Sequence, residues 1–168
     1  GLAYLTEDRK GAGLVLSMAQ TENATLATLP KYGWVINKGR QKAAVEEWKS
    51  ALDIRTSDLA NPVGALSGGN QQKIALAKWL DAHPKAIILD EPTRGVDVGA
   101  KREIYHLIQE LAQDGLAVLL ISSELPEILG LCHRTLVLRE GELVGELTGD
   151  AMTEESIMIL AAGAAHHS

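Results

Sequence analysis

The sequence predicts an α/β protein in which helices pack on a mostly parallel sheet. Two continuous apolar runs, residues 86–89 and 117–121, have the composition of strands that are covered on both faces in such a sheet. Between them, residues 101–113 place apolar side chains at helical spacing. A strand, a helix and a second strand in this order predict a right-handed crossover unit.

The N-terminal segment predicts one strand followed by a short helix. Residues 1–5 have a strand-like pattern without a starting methionine, which indicates a piece of a longer protein. A charged loop follows, and then Thr21 or Asn23 is placed to cap a helix that runs to residue 29 and is closed by Pro30 and Gly33.

Two further helices are predicted before the first buried strand. Residues 41–52 are amphipathic, with an apolar face formed by Ala44, Val45, Trp48 and Leu52. Ser67 is placed to cap a helix over residues 69–80, because its side-chain oxygen can accept a hydrogen bond from a free backbone N–H.

The C-terminal part predicts a hairpin and a last helix. The runs 135–138 and 143–147 flank a turn sequence and predict a hairpin at the edge of the sheet. Thr153 is placed to cap a short helix to residue 160. His166 and His167 follow in a tail without periodicity, which favours a frayed end over a metal site.

Composition excludes several classes of protein. With 168 residues, 46% of them apolar, the chain can form one domain with a core. A net charge of −6 argues against a general nucleic-acid binder, which needs a basic face. A single cysteine, Cys132, cannot form an internal disulfide. No apolar run approaches the ~20 residues that a membrane-spanning helix needs.

The strand at residues 86–89 ends in two carboxylates, Asp90 and Glu91, followed by Pro92. They therefore fall at the carboxyl edge of the sheet, where α/β folds bind ligands. In an ATPase the first carboxylate would hold Mg²⁺ and the second would orient or deprotonate the attacking water. A solvated strand end is the alternative, and the following PTRGVD favours the ATPase interpretation.

The sequence LSGGNQQ, residues 66–72, has the chemistry of an anion site at a helix start. Free N–H groups and the helix dipole attract an anion, the two glycines allow its close approach, and Ser67 adds a hydroxyl. The dipole contributes only ~0.3–1 kcal/mol at an exposed site, so it cannot hold ATP unaided. No phosphate-binding loop of the form GxxxxGK[ST] occurs anywhere in the 168 residues of this sequence.

Three segments together carry a family resemblance: LSGGNQQKIALAKWL, AIILDEPTRGVDVGAKREIY and LISSELPEIL. They resemble the nucleotide-binding domain of ATP-binding cassette (ABC) transporters, and most closely the second ATPase half of bacterial ribose, xylose and galactose importers. The resemblance implies a P-loop NTPase fold without its upstream Walker A region. It also implies a helical and signature subdomain at about 20–82, a Walker B core sheet at 84–150, and a C-terminal helix and tail at 151–168.

The resemblance also implies residue roles in a head-to-tail pair of ATPase domains. Ser67, Gly68, Gly69 and Asn70 would contact the γ-phosphate of an ATP held by the partner domain. Asp90 would be the Walker B ligand of Mg²⁺, Glu91 the catalytic carboxylate and Asp97 the D-loop residue at the dimer interface. Expected partners are the first ATPase half of the same polypeptide, the permease subunits, which the helical insertion would face, and indirectly a periplasmic sugar-binding protein. The expected location is the cytoplasmic face of the bacterial inner membrane.

Two substitutions depart from the family pattern. Glu7 stands where a glutamine usually senses Mg²⁺, and Ser123 stands where many members have a switch histidine. Both place the ATP site on this domain's own surface in doubt and are similar to the degenerate half of such importers.

Three functions remain open: the motor half of a sugar importer, a non-catalytic half that only completes its partner's site, and a DNA-repair or chromosome ATPase head. The last is disfavoured, because it needs long coiled coils and a basic face. Trp34, Trp48 and Trp79 are predicted to pack in the core or the subdomain rather than to form a stacking platform. Arg9 and Lys10 either meet a phosphate or the permease, or form a solvated loop. His83, His106 and His133 lack metal-ligand spacing.

Overall fold

The computed structural model describes residues 1–163 and contains a three-stranded parallel sheet. The strands are β1 (Leu2–Leu5), β2 (Ala86–Asp90) and β3 (Ala117–Ile121), and β2 lies between the other two. Each strand pairs residue by residue, with Leu2 opposite Ala86 and Ala86 opposite Ala117. The predicted parallel sheet is therefore confirmed, and the carboxyl ends of its strands lie at one edge.

The chain divides into two compact units, residues 1–121 and the residues from 122 onward. The first unit holds the parallel sheet and four helices: α1 (Gln20–Thr25), α2 (Lys38–Ala51), α3 (Gly68–Leu80) and α4 (Val98–Gln113). Shorter elements are a π-helical turn at Arg9–Gly13 and 3₁₀ turns at Leu26–Tyr32 and Val63–Ala65.

Short polar side chains begin three of these helices. Asn37, Ser67 and Asp97 each accept a hydrogen bond from the backbone N–H three residues ahead, which starts α2, α3 and α4. The predicted cap at Ser67 is confirmed. Helix α4 begins three residues earlier than its apolar pattern predicted, because Asp97 supplies a cap that the pattern does not contain.

The residues predicted to cap α1 were wrong. The helix begins after Ala19, and Thr21 and Asn23 lie inside it. Asn23 is fully buried, and its amide nitrogen donates to the carbonyls of Val15, Met18 and Ala19. Its side chain therefore closes the preceding loop. Pro30 likewise lies inside a 3₁₀ turn rather than closing a helix.

Helix α3 is the centre of the first unit. The predicted inner positions Ile74, Ala77 and Leu80 are buried, and so are both glutamines and both lysines of the helix. Lys73 is only 2% exposed because its ammonium group donates to the carbonyl of Asp53 and to Glu103, each at 2.8 Å. Because neighbouring segments surround α3 on nearly every side, the position of its N-terminus is fixed.

One face of the sheet is open, contrary to the prediction of two covered faces. Ala3, Leu5, Ile87 and Leu89 are buried on the inner face, whereas the opposite face exposes apolar side chains. The most exposed of these are Leu2 (67%), Leu119 (54%), Ile121 (46%) and Tyr4 (45%). A continuous apolar run identifies a strand but does not tell whether both of its faces are covered.

The second unit contains α5 (Leu125–Leu131), β4 (Arg134–Arg139), β5 (Glu142–Thr148), a 3₁₀ turn at Gly149–Ala151, and α6 (Glu154–Ala162). β4 and β5 form the predicted hairpin, closed by Glu140 and Gly141, both with positive φ. They form their own two-stranded sheet, so the predicted place at the edge of the parallel sheet was wrong.

Helix α6 packs on this hairpin and begins at Thr153, as predicted. The guanidinium of Arg139 donates to the carbonyl of Leu160 at 3.2 Å. A Cβ at Gly145 would lie 2.6 Å from the Leu160 side chain, so a larger residue at this strand position would require Leu160 to move. The tail predicted around His166 and His167 lies outside the described residues. Among residues 1–163, no helix has the length and apolar character that crossing a bilayer requires.

Candidate functional site

The tip of α3 forms an open cleft with the start of α4. Ser67 is exposed, and its hydroxyl oxygen accepts from the backbone N–H of Asn70 at 3.4 Å. The first N–H groups of a helix have no acceptor within the helix, so those of Gly68 and Gly69 are oriented to bind an anion. The cleft measures about 170 Å³ and is lined by Arg55, Ser67, Gly69, Asn70, Asp97, Gly99, Ala100 and Glu103.

The two glycines of the tip are needed for close packing. A Cβ at Gly69 would lie 2.5 Å from the Cβ of Ala100 in α4, and one at Gly68 would lie 3.0 Å from the carbonyl oxygen of Gly95. Gly69 is buried and Gly68 is half-buried. The tip therefore packs closely against the segment that follows the β2 carboxylates. A larger residue at either glycine would force the tip and this segment apart.

Asn70 braces the tip from inside. Its amide oxygen accepts from the backbone N–H of Arg55 at 2.8 Å, and its amide nitrogen donates to the Ser67 hydroxyl at 3.0 Å. The Ser67 hydroxyl is thus positioned by Asn70. Sequence reasoning proposed Asn70 only as a phosphate contact, because its partner at residue 55 is distant in the chain.

An ionic cluster borders the cleft. The guanidinium of Arg55 meets Asp53 at 2.9 Å and Glu103 at 2.8 Å, and Glu103 also accepts from the buried Lys73. The hydrogen bond from Lys73 holds the pKa of Glu103 below its usual value, and the acids beside Arg55 raise the pKa of its guanidinium. Since Lys73 lies in α3 and Glu103 in α4, the cluster ties the two helices together.

Arg9, for which the sequence left open a phosphate contact, a permease contact or a solvated loop, lies behind the tip. It is 8% exposed, so the predicted alternative of a solvated loop is wrong for this residue, whereas Lys10 is exposed. Nη1 of Arg9 donates to Gln72 at 3.3 Å, and Nε of Arg9 is buried without a hydrogen-bond partner. Nη2 of Arg9 would lie 3.4 Å from a Cβ at Gly68.

Burial lowers the pKa of the Arg9 guanidinium, but an arginine stays charged at any physiological pH. No ion pair to Arg9 is found within residues 1–163. The tip of α3 therefore has a buried positive charge next to it in addition to its own N–H groups. No sequence signal distinguishes this arginine from the neighbouring charged residues.

The β2 carboxylates lie at the carboxyl edge of the sheet, as predicted. Tyr4 of β1 donates its hydroxyl to Oδ2 of Asp90 at 2.6 Å, and this hydrogen bond raises the pKa of the tyrosine. Glu91 adopts a left-handed backbone with φ of 47°, and its N–H donates to the Ile121 carbonyl at 2.9 Å. Such a backbone is uncommon for a residue other than glycine and occurs where the surrounding structure imposes it.

Glu7 follows β1 at the same edge of the sheet and accepts from Arg94, which lies three residues after Glu91. Its carboxylate is therefore paired in this structure. Asp97 caps α4 through Oδ1, which accepts from Ala100 N at 3.0 Å, and its side chain lines the cleft. Ser123 is exposed between β3 and α5, in the second unit.

The carboxylate edge fits a magnesium ion that is shared with a phosphate. Among residues 1–163, no three His, Cys, Asp or Glu side chains are grouped as metal ligands. Protein-bound Mg²⁺ commonly has only one or two carboxylate ligands and completes its shell with water and substrate phosphates. Asp90 can provide one such ligand, and Tyr4 already occupies one of its oxygens.

A family model and individual relatives match this chain. Residues 3–94 match the ABC transporter family model. The chain is 50% identical over 166 residues to a ribose import ATP-binding protein of Rhizobium meliloti, covering 97% of this chain and 32% of that protein. It is 49% identical over 162 residues to the L-arabinose transport ATP-binding protein of Geobacillus stearothermophilus, covering 95% of this chain and 32% of the relative. The chain thus spans about a third of the length of these relatives.

Solved structures share the fold. An ATP-binding cassette solved as a dimer in a post-hydrolysis state with ADP and Pi superposes with a TM-score of 0.74 at 22% identity, covering 88% of this chain and 62% of the other. A dimeric structure of a bacterial ABC transporter cassette gives 0.71 at 24% identity, covering 87% and 62%. The family match over residues 3–94 and the shared fold lead to one conclusion: the chain belongs to the ABC transporter family.

Proposed function

We propose that this chain is part of the ATPase of a bacterial sugar importer, and that the tip of α3 completes an ATP site whose P-loop belongs to a partner ATPase domain. The open N-terminus of α3 carries the proposal, because its free N–H groups, the Ser67 hydroxyl and the buried Arg9 all favour a phosphate there. Sugar import is supported by the relatives, which are named as ribose import and L-arabinose transport ATP-binding proteins.

In this proposal, Ser67, Gly68, Gly69 and Asn70 contact the γ-phosphate of the partner's ATP, and Asp97 lies at the boundary between the two domains. Asn70 also holds the Ser67 hydroxyl in place, and the ionic cluster of Lys73 and Glu103 fixes the tip relative to α4. Positioned donors of this kind act where negative charge develops during phosphoryl transfer.

The chain's own carboxylates have a second role. Magnesium-bound ATP supplies the reacting phosphoryl group; Asp90 would hold the ion and Glu91 would orient or deprotonate the attacking water. The family resemblance implies that Glu7 and Ser123 would also meet the nucleotide. The assembly would include the other ATPase half of the same polypeptide, permease subunits and, indirectly, a periplasmic sugar-binding protein, at the cytoplasmic face of the inner membrane and without nucleic acid.

The experiment measures magnesium-dependent ATP hydrolysis by this chain alone and after mixing with an ATPase domain that carries GxxxxGK[ST]. We expect no turnover by the chain alone and turnover by the mixture. Ser67→Ala should lower the turnover of the mixture by roughly 10²-fold, the usual effect of losing one positioned donor. Ser67→Thr, which keeps the hydroxyl, is the matched control. Turnover by the chain alone, or an unchanged rate with Ser67→Ala, would contradict the proposal.

A second candidate is a non-catalytic half that only completes its partner's site. The pairing of Glu7 with Arg94 and of Asp90 with Tyr4 favours it, because both carboxylates already have partners. Glu91→Gln in the complete importer separates the two candidates, because the mixture offers Glu91 no P-loop of its own domain. A loss of roughly 10²–10⁴-fold indicates that Glu91 is catalytic, whereas an unchanged rate indicates the non-catalytic half.

A further inference from the structure

Three consecutive apolar residues stand in solvent in the first unit. Trp34 is 104% exposed, Val35 84% and Ile36 41%, so the prediction that Trp34 packs in the core was wrong. The residues lie between the 3₁₀ turn that ends at Tyr32 and the start of α2. Contiguous exposed apolar residues mark a surface that binds something.

Positive charge follows directly after these residues. Lys38, Arg40 and Lys42 are exposed, and none of them forms an ion pair among the residues that the structure describes. Residues 31–45 contain no aspartate or glutamate, although the whole chain has a net charge of −6. A basic patch is thus concentrated beside the apolar residues in an otherwise acidic protein.

This charge does not serve the helix that carries it. Lys38 and Arg40 lie in the first turn of α2, and this turn contains no acidic residue. The positive end of the helix dipole lies there, so cations in this turn oppose the helix. Stabilisation of α2 therefore does not explain why these cations are placed there.

The segment is held at both ends. Tyr32 is buried and donates its hydroxyl to Asp81 at 2.8 Å, and Asn37 N donates to the Tyr32 carbonyl at 3.0 Å. Asn37 also accepts from Arg40 N at 3.0 Å, which starts α2. Gly33 ends the 3₁₀ turn with φ of 102°, a backbone conformation that favours glycine. The apolar residues are thus presented on a fixed base.

We propose that residues 34–42, the docking segment, bind the surface of an anionic lipid bilayer. Trp34, Val35 and Ile36 enter the interfacial layer, while Lys38, Arg40 and Lys42 meet lipid phosphates. Tryptophan at the headgroup level and clustered Lys or Arg at an anionic surface are the residue types that such an interface favours. The inference goes beyond the proposed ATP site, since it assigns a lipid contact to a different surface.

The test is sedimentation of the chain with vesicles of phosphatidylcholine alone or with added phosphatidylglycerol, without nucleotide. We expect binding only to the vesicles that contain phosphatidylglycerol, decreasing as salt rises. Tryptophan emission should shift to the blue on binding. Trp34→Phe should abolish that shift while retaining most of the binding, because Trp48 and Trp79 lie outside the segment.

Matched variants separate the segment from net charge and general apolarity. Replacing Lys38, Arg40 and Lys42 with glutamine should weaken partitioning on the order of 100-fold, since each basic residue near an anionic surface contributes roughly fivefold. The same replacement at the exposed Lys10, Lys85 and Arg102 changes net charge equally and should have little effect. Trp34→Ser should also weaken binding, whereas Leu138→Ser, at a residue 65% exposed in β4, should not.

Three results would overturn the proposal. The first is the absence of binding to anionic vesicles at low salt, and the second is an equal loss of binding in the control variants. The third is that Trp34→Ser loses binding to a detergent-solubilised permease while its vesicle binding is unchanged, which would assign the segment to a protein partner. Because no nucleotide is used, none of these results depends on the proposed ATP site.

Discussion

At the scale of single residues, the tip of α3 combines a steric requirement with a chemical one. Only a glycine at position 69 leaves room for the Cβ of Ala100. Ser67, by contrast, is exposed and presents its hydroxyl. Loss of activity after replacing Gly69 could therefore come from packing alone. Ser67→Ala creates no steric clash but also removes the cap of α3, so its effect on activity has to be compared with that of Ser67→Thr, which keeps the hydroxyl.

Gly69→Ala should destabilise the protein by about 1–3 kcal/mol, because the new Cβ overlaps Ala100 and forces α3 and α4 apart. Urea unfolding measures the change. Gly130→Ala is the matched control: this glycine also lies in a helix, and a Cβ there would meet no atom within 4 Å. The control should be neutral or stabilising by about 0.5–1 kcal/mol. Equal effects of the two changes would contradict the steric argument.

At the scale of elements, Asp81 joins three segments at the C-terminal end of α3. Its carboxylate is 1% exposed and accepts from Thr28, Lys31, Tyr32 and Trp48. Burial alone would raise the pKa of Asp81, but these donors keep it below its ordinary value. Burial and the bond to Asp81 raise the pKa of Tyr32 to about 12. The base of the docking segment depends on this carboxylate.

Asp81→Ala should destabilise the first unit by about 3–5 kcal/mol, because it leaves buried donors without their acceptor. Asp114→Ala, at an exposed side chain in the same unit, should change stability by only about 0.5 kcal/mol. Denaturant unfolding measures both. If the two changes were equal, the Asp81 contacts would not be stabilising the unit.

Asp81 also predicts how stability depends on pH. Its folded pKa lies below the ordinary value of 3.8, so its contribution is present above that value and is lost as the pH falls through the folded pKa. Wild-type stability should therefore decrease more steeply below about pH 4 than that of Asp81→Asn, which has no carboxylate to protonate. Unfolding midpoints measured between neutral and acidic pH test this, and parallel curves would contradict it.

At the scale of the whole molecule, the sheet exposes an apolar face. Leu2 and Tyr4 of β1 and Leu119 and Ile121 of β3 share it, on the two outer strands of the sheet. Exposed apolar faces of this kind favour association between copies, and the edge strands β1 and β3 present unpaired backbone groups.

The chain should therefore self-associate as its concentration rises, as sedimentation velocity can measure. Replacing Leu119 and Ile121 with lysine should return it to a monomer, because charge on the open face opposes stacking. Leu138→Lys, at an exposed position of the hairpin, is the control and should leave association unchanged. A monomer for the unchanged chain at all concentrations would contradict this expectation.

Much of this protein follows from local sequence. Ser67 caps α3, the apolar runs form β2 and β3, and Asp90 falls at the end of β2, because capping and apolar periodicity act between residues close in the chain. The candidate phosphate-binding tip and the carboxylate edge could be predicted for the same reason. These residues lie at the ends of elements whose positions the pattern already indicates.

Only the tertiary structure decided which side chains support that tip and which remain in solvent. Arg9 lies beside Gly68, Asn70 accepts from Arg55, Asp81 accepts from donors in two other segments, and Trp34 stays outside the core. Each outcome depends on segments that are distant in the chain and meet only after folding. Burial, and with it the state of a charge or an aromatic ring, is a property of those contacts and not of the local sequence.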